Sequence, residues 1–193
     1  MEPRLNEENS LQLIESMINK AKNNFSESGS LYLLLGFVVF ICSIVQFTGE
    51  YFYNYDDIYY VWYLTWIVVI YQAFFIARKR KVSKVRTYTE DIVKYVWICF
   101  LCCITLMIYI LIYQKAFWAI DPAILVLYGL PTFLSGIILK FKPLIIGAIS
   151  CWLLSVISVF FENEFQVLFI SLAVLIAWII PGYLLRVKFK KEH

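Results

Sequence analysis

Six stretches of this chain run for roughly 17–21 residues with almost no formal charge, and nothing else in the sequence limits its fold so sharply. They lie near Leu31–Phe47, Ile58–Ala77, Tyr95–Tyr113, Pro122–Leu139, Pro143–Phe161 and Phe165–Leu185. At about 1.5 Å per residue, a helix of such length reaches across a hydrocarbon layer of about 30 Å. Water-soluble domains are about 45–50% apolar, whereas this chain is 62% hydrophobic with a mean hydropathy of +0.74. The spacing predicts an all-α integral membrane protein with six transmembrane helices in one domain over 31–185. A cytoplasmic amphipathic segment (1–30) precedes it and a basic cytoplasmic tail (186–193) follows.

The charges give an independent reading of the same map. Of the 17 Lys and Arg, all but Lys115 fall on one side when assigned to alternate connections. The other side carries Glu50, Asp56, Asp57, Asp121, Glu162 and Glu164. Positive charge is retained in the cytoplasm, so both termini are expected there, beside anionic lipid headgroups. No cleavable secretory signal is expected, because the first apolar run starts some thirty residues in and is long enough to span. The five cysteines all fall within spans, which predicts five free thiols.

Before the first span, Leu11, Ile14, Ile18 and Phe25 recur at helical spacing. Asn9 and Gln12 resemble a capping box at the head of that helix. Its polar face mixes Glu15 and Glu27 with Lys20 and Lys22, without the basic bias of a lipid-seeking helix. The apolar face is therefore a candidate docking surface, or a face that packs on its own bundle. The segment "EYFYNYDDIYYVWY" (50–63) reads as the outer loop and the start of the second span, rich in interfacial aromatics. The basic run "ARKRKVSKVR" follows a span on the cytoplasmic side, so lipid headgroups explain it and nucleic acid is not expected. Thr87 and Glu90 form a capping box for the third span.

The stretch "LYGLPTFLSGIILKFKP" (127–143) sets a proline between two glycines inside an apolar run. Broken helices of this kind build transporter sites near the bilayer midplane. Pro131 removes one backbone hydrogen bond and crowds the carbonyl of Leu127, so a kink is expected, with Gly129 relieving the crowding. Thr132 or Ser135 could satisfy the freed carbonyl. Gly129, Pro131 and Ser135 are thus candidate functional or kink positions. Asp121 joins them as the only acid at the head of a span beside apolar neighbours, its plainer role being the helix cap before Pro122. The short links "KFK" and "ENE" make spans four, five and six antiparallel neighbours. Gly147, Cys151 and Ser155 form a small-residue seam between them.

Little catalytic chemistry is open to such a chain. His193 is its single histidine and lies in the charged tail, which leaves no basis for a His-based triad, metal site or proton relay. Ser135-Gly136 has neither a nucleophile turn nor a base. Cys99, Cys102 and Cys103 share a helix face, but three thiolates in lipid without a fourth ligand would be costly, so they read as packing residues. No Asp, Glu, Lys or Arg lies in the middle of a span. No catalytic residue, metal site or cofactor is predicted, and Gln46, Gln72, Thr65 and Thr105 read as interhelical hydrogen-bonding groups.

Through "SLQLIESMINKAK", "GLPTFLSGIILKFKPLIIGAISCWLLS" and "IIPGYLLR", the chain resembles a family of small bacterial inner-membrane proteins with about six predicted spans and no known activity. The resemblance implies a multi-pass protein of the bacterial plasma membrane and adds no function. The expected role is that of a non-enzymatic protein working through protein or lipid contacts, as a homo-oligomer or as a subunit, scaffold or regulator of a membrane assembly. The alternative is a small transporter or channel for a neutral or weakly polar solute, with a cavity lined by Ser135, Thr132, Thr105 or Gln46 beside a kinked fourth helix.

Overall fold

A computed structural model describes residues 32–53, 56–80 and 88–190. Every regular element among them is helical, with no strand. The helices are α1 (Tyr32–Tyr53), α2 (Tyr63–Arg80), α3 (Tyr88–Tyr113), α4 (Ile120–Ile138), α5 (Lys142–Ser158), α6 (Asn163–Val174) and α7 (Ile180–Lys190). A 3-10 helix, Asp56–Trp62, leads into α2, and a shorter one, Phe117–Ala119, leads into α4. A π turn at Leu175–Ile179 joins α6 to α7 into one rod. Five helical stretches are long and apolar enough to cross a membrane: Tyr32–Tyr53, Ile58–Phe75, Ile92–Tyr113, Phe117–Ile138 and Asn163–Leu184. The apolar α5 is 17 residues long, about 25 Å, somewhat short of a hydrocarbon core.

The ends of α3 and α4 share one device. Lys115 and Lys140 take positive φ, 55° and 50°, the left-handed conformation that ends a helix. The Ala116 N–H reaches back to the Leu111 carbonyl (2.9 Å), and the Phe141 N–H to that of Gly136 (2.9 Å). This is the Schellman pattern, usually carried by glycine, and it turns the chain back within a few residues. At the next helix Pro143 lies in the first turn of α5, where its missing N–H costs nothing. The link between α4 and α5 is therefore tight, and within 56–190 these two helices share the most extensive contact.

Glycines set the closeness of that packing. A Cβ on Gly136 would lie 3.0 Å from the Ile145 backbone nitrogen, and one on Gly147 would lie 2.6 Å from the Ala177 Cα. The seam expected on α5 is buried and serves two neighbours. Gly147 meets the π turn, while Ser155 donates to the Pro122 carbonyl of α4 at 2.7 Å. Leu125, Leu144, Cys151, Ile170 and Val174 fill the space between.

Two expectations about the outer side are corrected. The loop expected ahead of the second span is largely helical among the described residues, because α1 continues to Tyr53 and a 3-10 helix starts at Asp56. Gln46 donates to Glu50 (2.9 Å) and Phe47 stacks on Tyr51 (5.5 Å), both one helical turn apart, and these pairs hold the last turns of α1. Asp121 does not cap α4. The N-cap is Ala119, without a side-chain hydrogen bond, because the 3-10 turn Phe117–Ala119 runs into the helix. Asp121 lies inside the first turn, where the helix dipole favours an acid.

Candidate functional site at the π turn

The interior of the bundle is organised by a turn that no feature of α4 foretold. Pro181 lacks the N–H that an α-helix would direct to the Ala177 carbonyl. The rod absorbs this defect with one wide turn, in which the Ile180 N–H bonds the Leu175 carbonyl five residues back. Single π turns of this kind recur at functional sites because they re-aim a side chain. Here the side chain is Trp178, buried to within 1% of its surface.

Trp178 ties four helices together. Its indole N–H donates to the Thr132 hydroxyl at 3.0 Å, and Thr132 donates in turn to the Tyr128 carbonyl at 2.7 Å. Its ring lies 4.7 Å from that of Tyr128 and 5.9 Å, edge-on, from that of Trp97. Trp97 extends the cluster to Phe100 (5.5 Å) and Tyr32 (5.7 Å). The backbone of α1 approaches through Gly36, where a Cβ would lie 3.3 Å from that of Trp178.

One pair of groups in this cluster is unfinished. The Tyr32 hydroxyl lies beside the Ser135 hydroxyl and the Trp97 indole. Both hydroxyls are buried, and neither completes a hydrogen bond. A buried hydroxyl without a partner costs about 1–3 kcal/mol, so the pair is costly to hold in the bundle unless one hydroxyl turns toward the other. Ser135 was one of the positions singled out in the sequence; Tyr32 and Trp178 were not. A tyrosine and a tryptophan in apolar runs look like ordinary packing residues, and only the proline at 181 hinted at the turn.

The other candidates separate from this cluster. Pro131 is buried, yet α4 is α-helical from Ile120 to Ile138 without interruption. Thr132 serves the Tyr128 carbonyl rather than that of Leu127. Gly129 makes room for an indole: a Cβ there would lie 2.2 Å from Trp152 Nε1, which donates to the Val126 carbonyl at 3.2 Å. Gln46 is occupied by Trp62, whose indole donates to it, and by Glu50. Thr105 faces outward and bonds back to the Leu101 carbonyl. All five cysteines are free, with Cys42 and Cys151 buried and Cys99, Cys102 and Cys103 on the outer face of α3. Among the described residues, no three His, Cys, Asp or Glu side chains are placed to hold a metal ion. The docking face Leu11, Ile14, Ile18 and Phe25, and Thr87 of the expected capping box, lie outside the described residues.

Comparison with family models, with curated proteins and with solved structures finds no match for this chain.

Proposed function

We propose that this is a six-span protein of the bacterial inner membrane, with both termini in the cytoplasm, that acts through protein or lipid contacts and not by catalysis. It would serve as a subunit, scaffold or regulator of a membrane assembly, or as a homo-oligomer. The one-sided distribution of Lys and Arg supports the orientation, and the sixth crossing is assigned to the apolar α5 with the turns that follow it to Phe161.

The observation that carries the reading is the unequal burial of the helices. The hydrophobic windows of α1, α4 and the α6–α7 rod are 39%, 39% and 50% buried, whereas those of α2 and α3 are 0% and 6% buried. The chain leading into α2 is fastened to α1 at its head, through Val61 with Cys42, Trp62 with Gln46, and Ile58 against Gly49. Beyond that point it turns Trp66, Ile67, Ile70, Tyr71 and Phe74 outward. Lipid is as apolar as these side chains, so exposure alone drives no association; interhelical packing does. We assign to another chain the packing that α2 lacks along its length and that α3 lacks on the face turned away from α4.

Gentle isolation of the tagged protein from its own membranes, followed by mass and composition of the complex, tests this. A stoichiometric second protein or a second copy is expected; a solitary 22.8 kDa chain would refute it. The alternative, a small transporter or channel for a neutral or weakly polar solute, draws on one feature, the Tyr32 and Ser135 hydroxyl pair. It carries less weight because Thr132 and Gln46 are engaged within the protein and Thr105 faces outward.

A further inference from the structure

We infer that the groove between the start of α1 and α7 is a binding site for one anionic phospholipid, with its acyl chain along the groove and its phosphate on Arg186. The groove is open to the outside along its length and has a volume of about 410 Å³. Leu33 and Phe37 form its α1 wall, and Ile179, Tyr183 and Leu184 form the opposite one. These side chains are apolar apart from the tyrosine hydroxyl, as a hydrocarbon chain requires.

Among the described residues, Arg186 is the sole charged one lining the groove. Ile179, Tyr183 and Arg186 succeed one another at spacings of four and three, so they lie along a single face of the rod. Apolar wall, interfacial tyrosine and cation therefore follow one line, in the order that acyl chain, glycerol and phosphate follow in a lipid. The guanidinium presents a planar fork that matches phosphate oxygens bidentately. An anionic lipid is preferred over a zwitterionic one because the cation of a choline headgroup would repel Arg186. Basic pockets between helices on the cytoplasmic side take anionic headgroups in this way. The inference deepens the lipid-contact part of the proposed function and rests on it for placing Arg186 at the cytoplasmic leaflet.

Native mass spectrometry of the full chain in mild detergent tests the site, with phosphatidylglycerol and phosphatidylcholine at equal mole ratio. One retained phosphatidylglycerol per chain is expected. Arg186→Gln should weaken its retention about fivefold, the effect of removing one basic contact, and abolish the preference over phosphatidylcholine. Leu33→Trp, which fills the groove, should lower retention with Arg186 intact. Arg78→Gln, at the basic end of α2, should leave it unchanged. Equal retention of the two lipids by the wild type, or an equal loss from Arg78→Gln, would overturn the inference, as would a second copy of the chain in place of the lipid. The detergent measurement does not depend on orientation. Should labelling place Arg186 outside while retention persists, the topology fails and the site stands.

Discussion

Gly147→Ala is the substitution whose effect follows most directly from the packing. The new methyl carbon would lie 2.6 Å from the Ala177 Cα and 3.1 Å from the Ile176 carbonyl oxygen. Carbon atoms rest at about 3.5–4.0 Å, so α5 must withdraw from the π turn by about 1 Å. Because the obstacle is backbone, no rotamer change relieves it, and the cost belongs in the upper part of the overpacking range, about 2–3 kcal/mol. Alanine returns about 0.5–1 kcal/mol through its better helix propensity, which leaves a net loss of about 2 kcal/mol. Gly49→Ala is the matched control. Its methyl would meet Ile58 at Cγ1 (2.6 Å), Cδ1 (2.7 Å) and Cβ (3.3 Å), so χ1 must turn and the residue give by a few tenths of an ångström, but no backbone atom stands in the way. Displacing it costs about 0.5–1.5 kcal/mol as an off-rotamer strain, and the propensity gain cancels most of this. Reversible unfolding by SDS in mixed micelles, followed by tryptophan fluorescence, should therefore separate the two variants about 30-fold in unfolding equilibrium constant. Equal stability of the two would show that α5 and the π turn are not in backbone contact.

Three further outcomes are expected in the same assay. Ser155→Ala removes the buried hydrogen bond to the Pro122 carbonyl and should cost about 0.6–2 kcal/mol, the range for interhelical bonds in membranes; no change would mean that the carbonyl finds another donor. Lys140→Gly relieves a left-handed non-glycine residue and should stabilise by about 1 kcal/mol, whereas a loss would place Lys140 in a contact that outweighs its backbone strain. Tyr32→Phe deletes one of two unpaired buried hydroxyls and should be neutral or stabilising by up to about 1 kcal/mol. A loss above about 1 kcal/mol would mean that a water or guest is held there, which favours the transport reading.

Hydrophobic periodicity and charge made the helices legible because both signals are local. Each apolar run became helix, and Pro143 opened α5 as a proline at a helix start should. The seam of Gly147, Cys151 and Ser155 was legible for the same reason, since residues four apart share a face. The cap reading of Asp121 failed, and the packing partner of Gly129 was hidden, because both depend on neighbours that the sequence does not identify. A 3-10 turn carries the helix start upstream of the acid, and Trp152 from α5 occupies the space that Gly129 leaves. Two prolines of similar setting behave differently as well. Pro131 sits inside an uninterrupted α-helix, while Pro181 follows a π turn. That difference lies in what the partner helices offer, with Gly147 and Gly36 admitting the wider turn at 175–179. The hydroxyl pair of Tyr32 and Ser135 joins positions over a hundred residues apart, which no local pattern reports.

The claim that α2 and α3 pack against another chain is tested most directly by photo-crosslinking in the native membrane. A photoreactive residue would replace Ile67 on α2, Tyr109 on α3 or Val156 on α5, all three of which face outward. Protein adducts are expected from positions 67 and 109, with lipid adducts alone from 156. Lipid adducts alone from all three positions would contradict the account, leaving the outward faces of α2 and α3 to the bilayer alone.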